Sequence, residues 1–546
     1  MVTNLPIISG NNNEVSSNLR KRTNNTKVNK RILLFWPNTS NRGRIHMAMP
    51  ILSAISKRMG WETKYYDTSF YEKADDAIVE KEKTGAFKPT AENSLPDVKP
   101  ASQVITDFQD ILDDFQPDVL AITGMTSDFQ YMMTFFPQLK IPEHTVVAFG
   151  GTHSLHKSDE ILKTGMIDVS CFGQGEAILP EILKRVEKGD TVDGIPGTSH
   201  VDKSTGQIML NCVSPALQAD ALWDFEPDYS FYDKRYYAYP FDGNVVNMFW
   251  LEVGRGCPFG CTYCEAPQLR NLYKGSGKYV ISRPMDNIFD TIKKLEEKYS
   301  IDVFNITHEC FLSQRKAWIK EFCERWGKEV KKSFLIQTRM ETCDTEKLDI
   351  LRESNAPIIQ IGQGIESGNE RILAEICNRR MNIEPVVESY GIMKKREFRT
   401  NAYYMMGFPT ETRQEIFDSV KLCKRVRSDI DSISIFQPFP GLPLTQKCIK
   451  EGWITGKETF PTFTERSIIN QPSIAADEVT KLRRVFLLYA KLPEQYWPDI
   501  EKCENDFHGN QELFQNLVDL RWKLHGEDTS AEDPLTGIRK APLSSC

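Results

Sequence analysis

Three cysteines lie within eight residues in the stretch Gly254-Arg255-Gly256-Cys257-Pro258-Phe259-Gly260-Cys261-Thr262-Tyr263-Cys264, at a Cys-x3-Cys-x2-Cys spacing. Thiolates are the ligands of iron-sulfur clusters and of structural zinc, and such centres commonly take four of them. The spacing therefore predicts a metal centre at Cys257, Cys261 and Cys264, and a four-iron cluster held by these three would keep one iron open. The glycines suit a loop that folds tightly around such a centre.

The same stretch resembles the signature of the radical S-adenosylmethionine (SAM) superfamily, a Cys-x3-Cys-x-aromatic-Cys loop after the first strand of a partial barrel. The resemblance implies that the cysteines bind a four-iron four-sulfur (4Fe-4S) cluster. It also implies that the open iron holds SAM, which an electron from the reduced cluster cleaves to a 5'-deoxyadenosyl radical. A zinc knuckle and an electron-transfer cluster are the alternatives, and each needs a fourth ligand, for which Cys212 and Cys310 are candidates.

The composition is that of an ordinary globular protein of 546 residues, with 68 basic and 75 acidic residues and a net charge of -7. This balance does not indicate the excess of basic residues that is typical of nucleic-acid-binding proteins. No apolar run approaches the roughly 18 residues of a membrane-spanning helix, and the N-terminus has no apolar signal-peptide core. The thirteen cysteines are an odd number, which fits a reducing compartment. We expect a cytoplasmic protein with neither nucleic acid nor a membrane as partner.

A series of strand-helix units begins at Arg31. Apolar runs predict five strands, at 32–36, 63–66, 119–122, 146–149 and 169–172. Strands that alternate with helices indicate a Rossmann-like, doubly wound parallel sheet, in which ligands bind beyond the carboxyl ends of the strands. The loops at those ends are therefore the candidates for ligand binding.

Four of these loops carry glycines and small hydroxyl residues, which let the backbone approach a large flat ligand. Gly-x-Gly-x-x-Gly is absent, which argues against NAD. Gly150-Gly151-Thr152-His153 and Gly173-Gln174-Gly175-Glu176 resemble motifs of the cobalamin-binding domain that precedes many radical SAM domains. Asp-x-His-x-x-Gly, whose histidine ligates cobalt in another cobalamin family, does not occur, so His153 and His156 are interpreted as loop or packing residues. The resemblance implies cobalamin contacts from Asn38, Thr39, Gly124, Met125, Thr126, Gly150, Gly151, Thr152, Gly173, Gly175 and Glu176.

Six further strand-helix repeats follow the first series. Their strands are predicted at 245–252, 303–307, 334–337, 358–361, 401–405 and 433–436. Six such repeats predict a partial (β/α)6 barrel, with its chemistry on the loops at the carboxyl ends of the strands. The cysteine stretch follows the first of these strands directly.

Two later strand ends also resemble radical SAM elements that lie near the cofactor. The fourth strand runs into Gly362-Gln363-Gly364-Ile365-Glu366-Ser367-Gly368, and the fifth into Met406-Gly407-Phe408-Pro409-Thr410-Glu411. The resemblance implies SAM contacts from Tyr263, Gly364, Glu366, Ser367 and Gly407. The second strand departs from the family and ends in Thr307-His308-Glu309. We expect Glu309 within reach of SAM or substrate and His308 as a proton donor or substrate contact, the alternatives being a solvated glutamate and a buried structural histidine.

These patterns divide the chain into five parts. They are a disordered tail (1–29), a cobalamin-binding Rossmann-like domain (30–200), a linker (201–244), a radical SAM partial barrel (245–445) and a mainly helical C-terminal region (446–546).

Both domains together resemble cobalamin-dependent radical SAM methyltransferases. The resemblance implies transfer of a methyl group from SAM via methylcobalamin to an unactivated carbon of a small metabolite or natural-product intermediate. It further implies a small-molecule substrate and an external electron donor that is flavodoxin- or ferredoxin-like. The alternatives are a cobalamin-dependent radical cyclase or rearrangement enzyme, and a non-catalytic iron-sulfur electron-relay or sensor protein.

Overall fold

The computed structural model describes residues 20, 27–40, 44–73, 77–90, 96–241, 243–354 and 356–528. Apart from Arg20 and residues 27–29, the predicted tail (1–29) lies outside these ranges. Residues 529–546 also lie outside them. Within the described residues no helix combines the length and the apolar character needed to cross a bilayer.

The first sheet has seven strands in the order β2-β1-β3-β4-β5-β6-β7. They are β1 (Arg31–Trp36), β2 (Glu62–Asp67), β3 (Val119–Thr123), β4 (Val146–Gly150), β5 (Val169–Cys171), β6 (Thr198–Val201) and β7 (Ile208–Leu210). The strands β1 to β5 are parallel, whereas β6 and β7 are antiparallel additions at one edge. The associated helices are α1 (Ala48–Arg58), α2 (Ala77–Lys83), α3 (Gln103–Phe115), α4 (Thr126–Met132), α5 (Thr152–Lys163), α6 (Gly175–Lys188) and α7 (Ala219–Leu222).

Helices cover both faces of this sheet, and the interior strand β1 shows why the sequence folds in this way. Leu33 and Phe35 lie in one apolar cluster with α3, while Ile32 and Leu34 lie in another with α6. All four side chains are fully buried. A parallel strand buried on both faces reads as a continuous apolar run, which is the pattern seen here.

The second sheet contains six parallel strands and one antiparallel edge strand, in the order β16-β15-β14-β13-β12-β9-β8. The strands of this part are β8 (Ala238–Phe241), β9 (Asn244–Glu252), β10 (Gly254–Arg255), β11 (Ile281–Ser282), β12 (Val303–Thr307), β13 (Ser333–Arg339), β14 (Ile358–Glu366), β15 (Thr400–Met406) and β16 (Ile430–Ile435). Its helices are α8 (Ala266–Leu272), α9 (Met285–Lys298), α10 (Lys316–Arg325), α11 (Thr345–Glu353), α12 (Ile383–Lys395), α13 (Arg413–Val426) and α14 (Pro443–Lys450). The short strands β10 and β11 pair with each other beside the cysteines.

The C-terminal region is helical and contains α15 (Ala476–Lys491), α16 (Trp497–Asn505) and α17 (Gln511–Asp528). The predicted fold class is confirmed: a Rossmann-like parallel sheet is followed by a six-stranded parallel half-barrel and a mainly helical end. The segment predicted as a linker (201–244) is more structured than expected, because β7 extends the first sheet and β8 the second.

Candidate active site

The cysteine loop (residues 256–264) follows β9 at the carboxyl end of the half-barrel. Cys257 and Cys261 are buried, and Cys264 is half-buried. The guanidinium group of Arg270 on α8 donates hydrogen bonds to the carbonyl oxygens of Cys257 (2.8 Å) and Phe259 (2.9 Å). The loop backbone is therefore held by a neighbouring helix, which leaves the sulfur atoms for another role.

The chemical state of these thiols depends on their burial. Burial raises the pKa of both Cys257 and Cys264 to about 11, so they remain protonated until a metal cation replaces the proton. Across the described ranges, no group of three or more His, Cys, Asp or Glu side chains is arranged to hold a metal ion. A structural zinc site needs four ligands about 2.3 Å or less from one ion. Among the residues that the structure describes, no fourth side chain completes that arrangement with the three loop thiols.

The two candidate fourth ligands are placed differently. Cys310 is fully buried and packs beside Cys257, but its sulfur contacts the hydroxyl oxygens of Thr338 (3.4 Å) and Thr342 (3.7 Å). Cys212 is exposed, in the segment after β7 of the first sheet. That the three loop cysteines bind a metal cluster therefore stays a prediction. In it, one metal ion of the cluster keeps a coordination position for a ligand other than cysteine.

A chain of alternating charges lies beside the cysteine loop. Arg339, the last residue of β13, pairs with Glu341, and Arg379 pairs with both Glu341 (2.6 Å) and Glu366 (3.1 Å). Arg379 is almost fully buried. Burial opposes ionisation of Glu341, but the two guanidinium groups outweigh it and lower its pKa to about 2. Sequence reasoning missed both arginines.

Three of the predicted SAM contacts come together at this chain. Arg379 donates hydrogen bonds to the hydroxyl oxygen of Tyr263 (3.3 Å) and to the carbonyl oxygen of Gly364 (2.8 Å). Glu366 has a φ of 71°, in the left-handed region that non-glycine residues rarely adopt and that often marks functional sites. A β-carbon at position 364 would lie 2.5 Å from the Glu366 carboxylate, so the glycine makes room for that group.

Ser367 does not join this group. It is fully buried, and its hydroxyl oxygen lies 3.4 Å from that of Ser419 on α13. The same oxygen accepts a hydrogen bond from the backbone N–H of Asn369. The hydroxyl is engaged in packing the loop against α13, so the structure does not support the predicted SAM contact.

Gly407 lies at the end of β15, where the chain turns with a φ of 79°. The carboxylate of Glu411 accepts hydrogen bonds from the backbone N–H groups of Gly407 (2.6 Å) and Phe408 (3.1 Å). Glu411, the glutamate of this Gly-x-Pro-x-Glu element, therefore stabilises the loop to which it belongs. It also fixes the backbone of Gly407.

The buried Glu411 predicts a pH dependence of stability. Burial raises its pKa to about 8, although the two backbone N–H groups favour the ionised form. From the ordinary value of 4.5 up to about 8, the folded protein keeps a proton that the unfolded chain has lost. The free energy of unfolding should therefore fall across this range as the pH rises, and this contribution should level off above it. Urea unfolding as a function of pH should show a flatter profile for Glu411→Gln, whereas Glu353→Gln, at an exposed position on α11, should keep the wild-type profile.

A cavity of about 420 Å³ opens between the two sheets and is lined by both domains. Six of the predicted cobalamin contacts line it: Gly150, Gly151, Thr152, Gly173, Gly175 and Glu176. The half-barrel contributes Glu252, Arg255 and Glu309. We call this space the interdomain cavity. It brings the loops after β4 and β5 to the same place as the residues that flank the cysteine loop.

The remaining predicted cobalamin contacts, Asn38, Thr39, Gly124, Met125 and Thr126, lie at the neighbouring strand ends outside the cavity lining. Asp128, which sequence reasoning missed, ties two of these loops together. Its carboxylate accepts hydrogen bonds from the Thr39 hydroxyl and the Met125 backbone N–H, both at 3.0 Å. The Met125 side chain is 44% exposed at the edge of the sheet. Asn38 is buried and donates to the hydroxyl of Ser69.

The two histidines of the first domain occupy packing positions. His153 is buried, lies 3.1 Å from the hydroxyl of Thr126 through Nδ1, and stacks on Phe129 with ring centroids 4.4 Å apart. Burial lowers its pKa to about 3. His156 pairs with Glu265 across the domain interface. These contacts support the packing interpretation.

Arg255 joins the domains at the wall of the interdomain cavity. Its guanidinium group pairs with Glu176 of the first domain (2.9 Å) and with Glu252 at the end of β9 (3.0 Å). Trp223 donates a further hydrogen bond to Glu252 (2.9 Å). All three charged side chains are at most 16% exposed. Glu176, a predicted cofactor contact, therefore also takes part in an ion pair between the two domains.

His308 and Glu309 have different surroundings. His308 is buried, its Nδ1 accepts a hydrogen bond from the backbone N–H of Cys310, and its Nε2 lies 2.8 Å from the amide of Gln314. Burial lowers its pKa to about 4, so it is neutral and structural, which does not support the predicted proton donor. Glu309 accepts a hydrogen bond from the backbone N–H of Gly256 (2.9 Å) and lines the interdomain cavity.

The charge of Glu309 can be tested separately from its hydrogen bond to Gly256. In Glu309→Gln the side-chain oxygen can still accept from Gly256, so cluster and cobalamin content should stay at wild-type levels. Loss of the carboxylate from the cavity should slow product formation relative to uncoupled deoxyadenosine release. Glu309→Leu, which cannot accept the hydrogen bond, should also lose iron. The ratio of product to deoxyadenosine is the quantity to measure, and an unchanged ratio in Glu309→Gln would leave Glu309 with a structural role only.

The interior of the half-barrel is open to solvent. Phe334 on β13 packs against Trp326 in the outer layer, with ring centroids 4.5 Å apart, so Gln337 projects from the opposite face. Gln337 is exposed although its strand is central in the sheet. Its exposure must therefore come from the barrel interior. Trp250 on β9 faces the same side and contacts Tyr239 edge to face, with centroids 5.5 Å apart.

Residues 251–423 match the family model of the radical SAM superfamily. Among curated relatives, an uncharacterized methyltransferase of Pyrococcus horikoshii is 23% identical over 400 residues, which cover 72% of this chain and 83% of the relative. An anaerobic magnesium-protoporphyrin IX monomethyl ester cyclase of Cereibacter sphaeroides is 24% identical over 345 residues, which cover 62% and 54%. Residues 251–423, which include the cysteine loop, therefore carry a radical SAM domain, as that loop predicted.

Two solved structures share the fold of both domains. OxsB, a cobalamin-dependent SAM radical enzyme solved with aqua-cobalamin and SAM bound, superimposes with a TM-score of 0.57 at 12% identity, covering 93% of this chain and 74% of OxsB. The methyltransferase TsrM from Kitasatospora setae, solved with cobalamin and a [4Fe-4S] cluster, gives a TM-score of 0.53 at 15% identity, covering 77% and 75%. In fold this chain is similar to OxsB and TsrM over both of its sheets.

Proposed function

We propose that this protein is a cobalamin-dependent radical SAM methyltransferase that acts on a carbon atom of a small-molecule substrate. The observation that carries the proposal is the interdomain cavity, where the glycine loops of the first domain meet the flanks of the cysteine loop. Arg255 fixes this meeting through its ion pairs to both domains. A cofactor of the first domain would thus face the metal centre of the second.

The interdomain cavity fits cobalamin. Its lining combines glycines at strand ends, which let the backbone approach a large ligand, with apolar side chains such as Ile178 and Ile182 of α6. Gln174 lines the cavity, and its amide nitrogen is buried without a hydrogen-bond partner. A buried donor of this kind needs an acceptor, which the peripheral carboxamides of cobalamin provide.

The cysteine loop and its surroundings fit a [4Fe-4S] cluster with SAM. Cys257, Cys261 and Cys264 would hold the cluster, and Glu366 and Gly407 lie at the strand ends that would border SAM. When bound, cluster and SAM supply a deoxyadenosyl radical, and cobalamin supplies a methyl group. The protein positions the reacting atoms: Arg255 pairs with Glu176 of the first domain, and Glu309 holds the cysteine loop through the backbone N–H of Gly256.

The substrate would enter the half-barrel interior, where the exposed amide of Gln337 lies on the inner face of β13. The electron would come from a flavodoxin- or ferredoxin-like donor at the outer edge of the cysteine loop, where Pro258 and Gly260 are exposed. Both partners belong to the proposal.

The test is anaerobic reconstitution with iron, sulfide and hydroxocobalamin, followed by reduction in the presence of SAM. A methyltransferase of this kind should bind both cofactors and release 5'-deoxyadenosine together with S-adenosylhomocysteine. Release of deoxyadenosine without S-adenosylhomocysteine would favour the radical cyclase alternative. Similarity to the cyclase of Cereibacter sphaeroides supports that alternative. An electron relay or sensor would release neither product, and that result would overturn the proposal.

A further inference from the structure

Arg339 contacts the cysteine loop in two ways. Its Nη1 lies 3.0 Å from the sulfur of Cys261. Its guanidinium carbon lies 3.9 Å from the centroid of the Phe259 ring, which belongs to the same loop. A planar cation is thus placed over an aromatic face while one of its N–H groups points at a thiol.

The neighbouring charges hold this guanidinium group in place. Glu341 accepts from Arg339, and it is held in turn by Arg379, which is 1% exposed. The Arg339 side chain is only 12% exposed. A long side chain that is packed, ion-paired and stacked has lost its freedom before any ligand binds, so the N–H group is preorganised towards Cys261.

We propose that Arg339 is a redox-tuning residue that donates a hydrogen bond to the Cys261 thiolate and raises the reduction potential of the cluster. The inference rests on the proposed function, in which Cys261 is a cluster ligand. One electron from an external donor adds negative charge to the cluster, and a hydrogen bond and a positive charge at a ligating sulfur stabilise the reduced form. Without Arg339, the same donor would reduce a smaller fraction of the protein.

The test is a redox titration of the reconstituted protein without substrate. The electron paramagnetic resonance signal of the reduced cluster is measured at each potential. Arg339→Met should shift the midpoint potential to a more negative value. Arg339→Gln keeps an N–H donor without the charge and should fall between Arg339→Met and the wild type. Arg325→Met removes the same charge from an exposed ion pair on α10 and should titrate like the wild type.

The outcomes separate this inference from the proposed function. A midpoint potential of Arg339→Met equal to that of the wild type, at equal iron content, would overturn the inference and leave the proposed function intact. If Arg339→Met does not retain iron, Arg339→Gln decides, and an unshifted potential in that variant overturns the inference. A wild-type protein that binds no cluster would overturn both.

Discussion

The triple variant Cys257→Ala, Cys261→Ala, Cys264→Ala is expected to retain almost no iron after anaerobic reconstitution and to release no deoxyadenosine. These thiols are the ligand set that the loop offers, and alanine cannot replace a thiolate. Iron content and the visible absorption of the cluster are the measurements.

The matched control replaces three other buried cysteines by alanine, Cys323 on α10, Cys423 on α13 and Cys503 on α16. These positions lie in the helical layers, so this variant should bind iron as the wild type does. Full cluster content in the loop variant would contradict the assignment of the cluster to the cysteine loop.

Arg255→Met should cause the largest loss of stability among single substitutions at the site. It leaves the carboxylates of Glu176 and Glu252 buried without their cation. Breaking a buried ion pair by removing one partner typically costs about 3–5 kcal/mol. We expect a loss of this order in the free energy of unfolding in urea, together with weaker uptake of hydroxocobalamin, because Glu176 lines the interdomain cavity.

Two further variants distinguish this effect from a general loss of charge. Arg255→Lys keeps a cation between the carboxylates and should recover part of the stability. Arg58→Met removes a surface pair with Asp224, whose side chains are 57% and 73% exposed, and should change stability by less than about 1 kcal/mol. Wild-type stability and cobalamin uptake in Arg255→Met would show that the Arg255 ion pairs do not hold the domains together.

The parallel strands could be predicted from the sequence because each is an apolar run between turns. The strand expected at 303–307 has those bounds in the structure, and all six strands of the half-barrel occur where they were expected. The antiparallel strands β6, β7 and β8 were missed, and of these β7 and β8 are edge strands. They are short and only partly apolar, and in β7 the side chains of Met209 and Leu210 are exposed. An edge strand has one free side, so its sequence carries a weaker signal.

The predicted site residues fall into two classes. Glycines at strand ends could be found, because their position follows from the strand pattern. Contacts between side chains distant in sequence could not: Arg255 meets Glu176, and Arg379 meets Tyr263, with no local spacing to indicate either pair. Arg339 is an exception, since reading the end of the third barrel strand as the other ends were read would have found it. The packing roles of His308 and Ser367 depend on burial, which a motif does not show.

The central claim, that a methyl group moves from SAM through cobalamin, is tested most directly with SAM labelled in its methyl group. The reconstituted, reduced protein is incubated with labelled SAM and hydroxocobalamin, and the corrinoid fraction is analysed by mass spectrometry. We predict that the label appears on the protein-bound corrinoid, with S-adenosylhomocysteine released in equal amount. An unlabelled corrinoid in a protein that binds cobalamin and cleaves SAM to deoxyadenosine would contradict the claim.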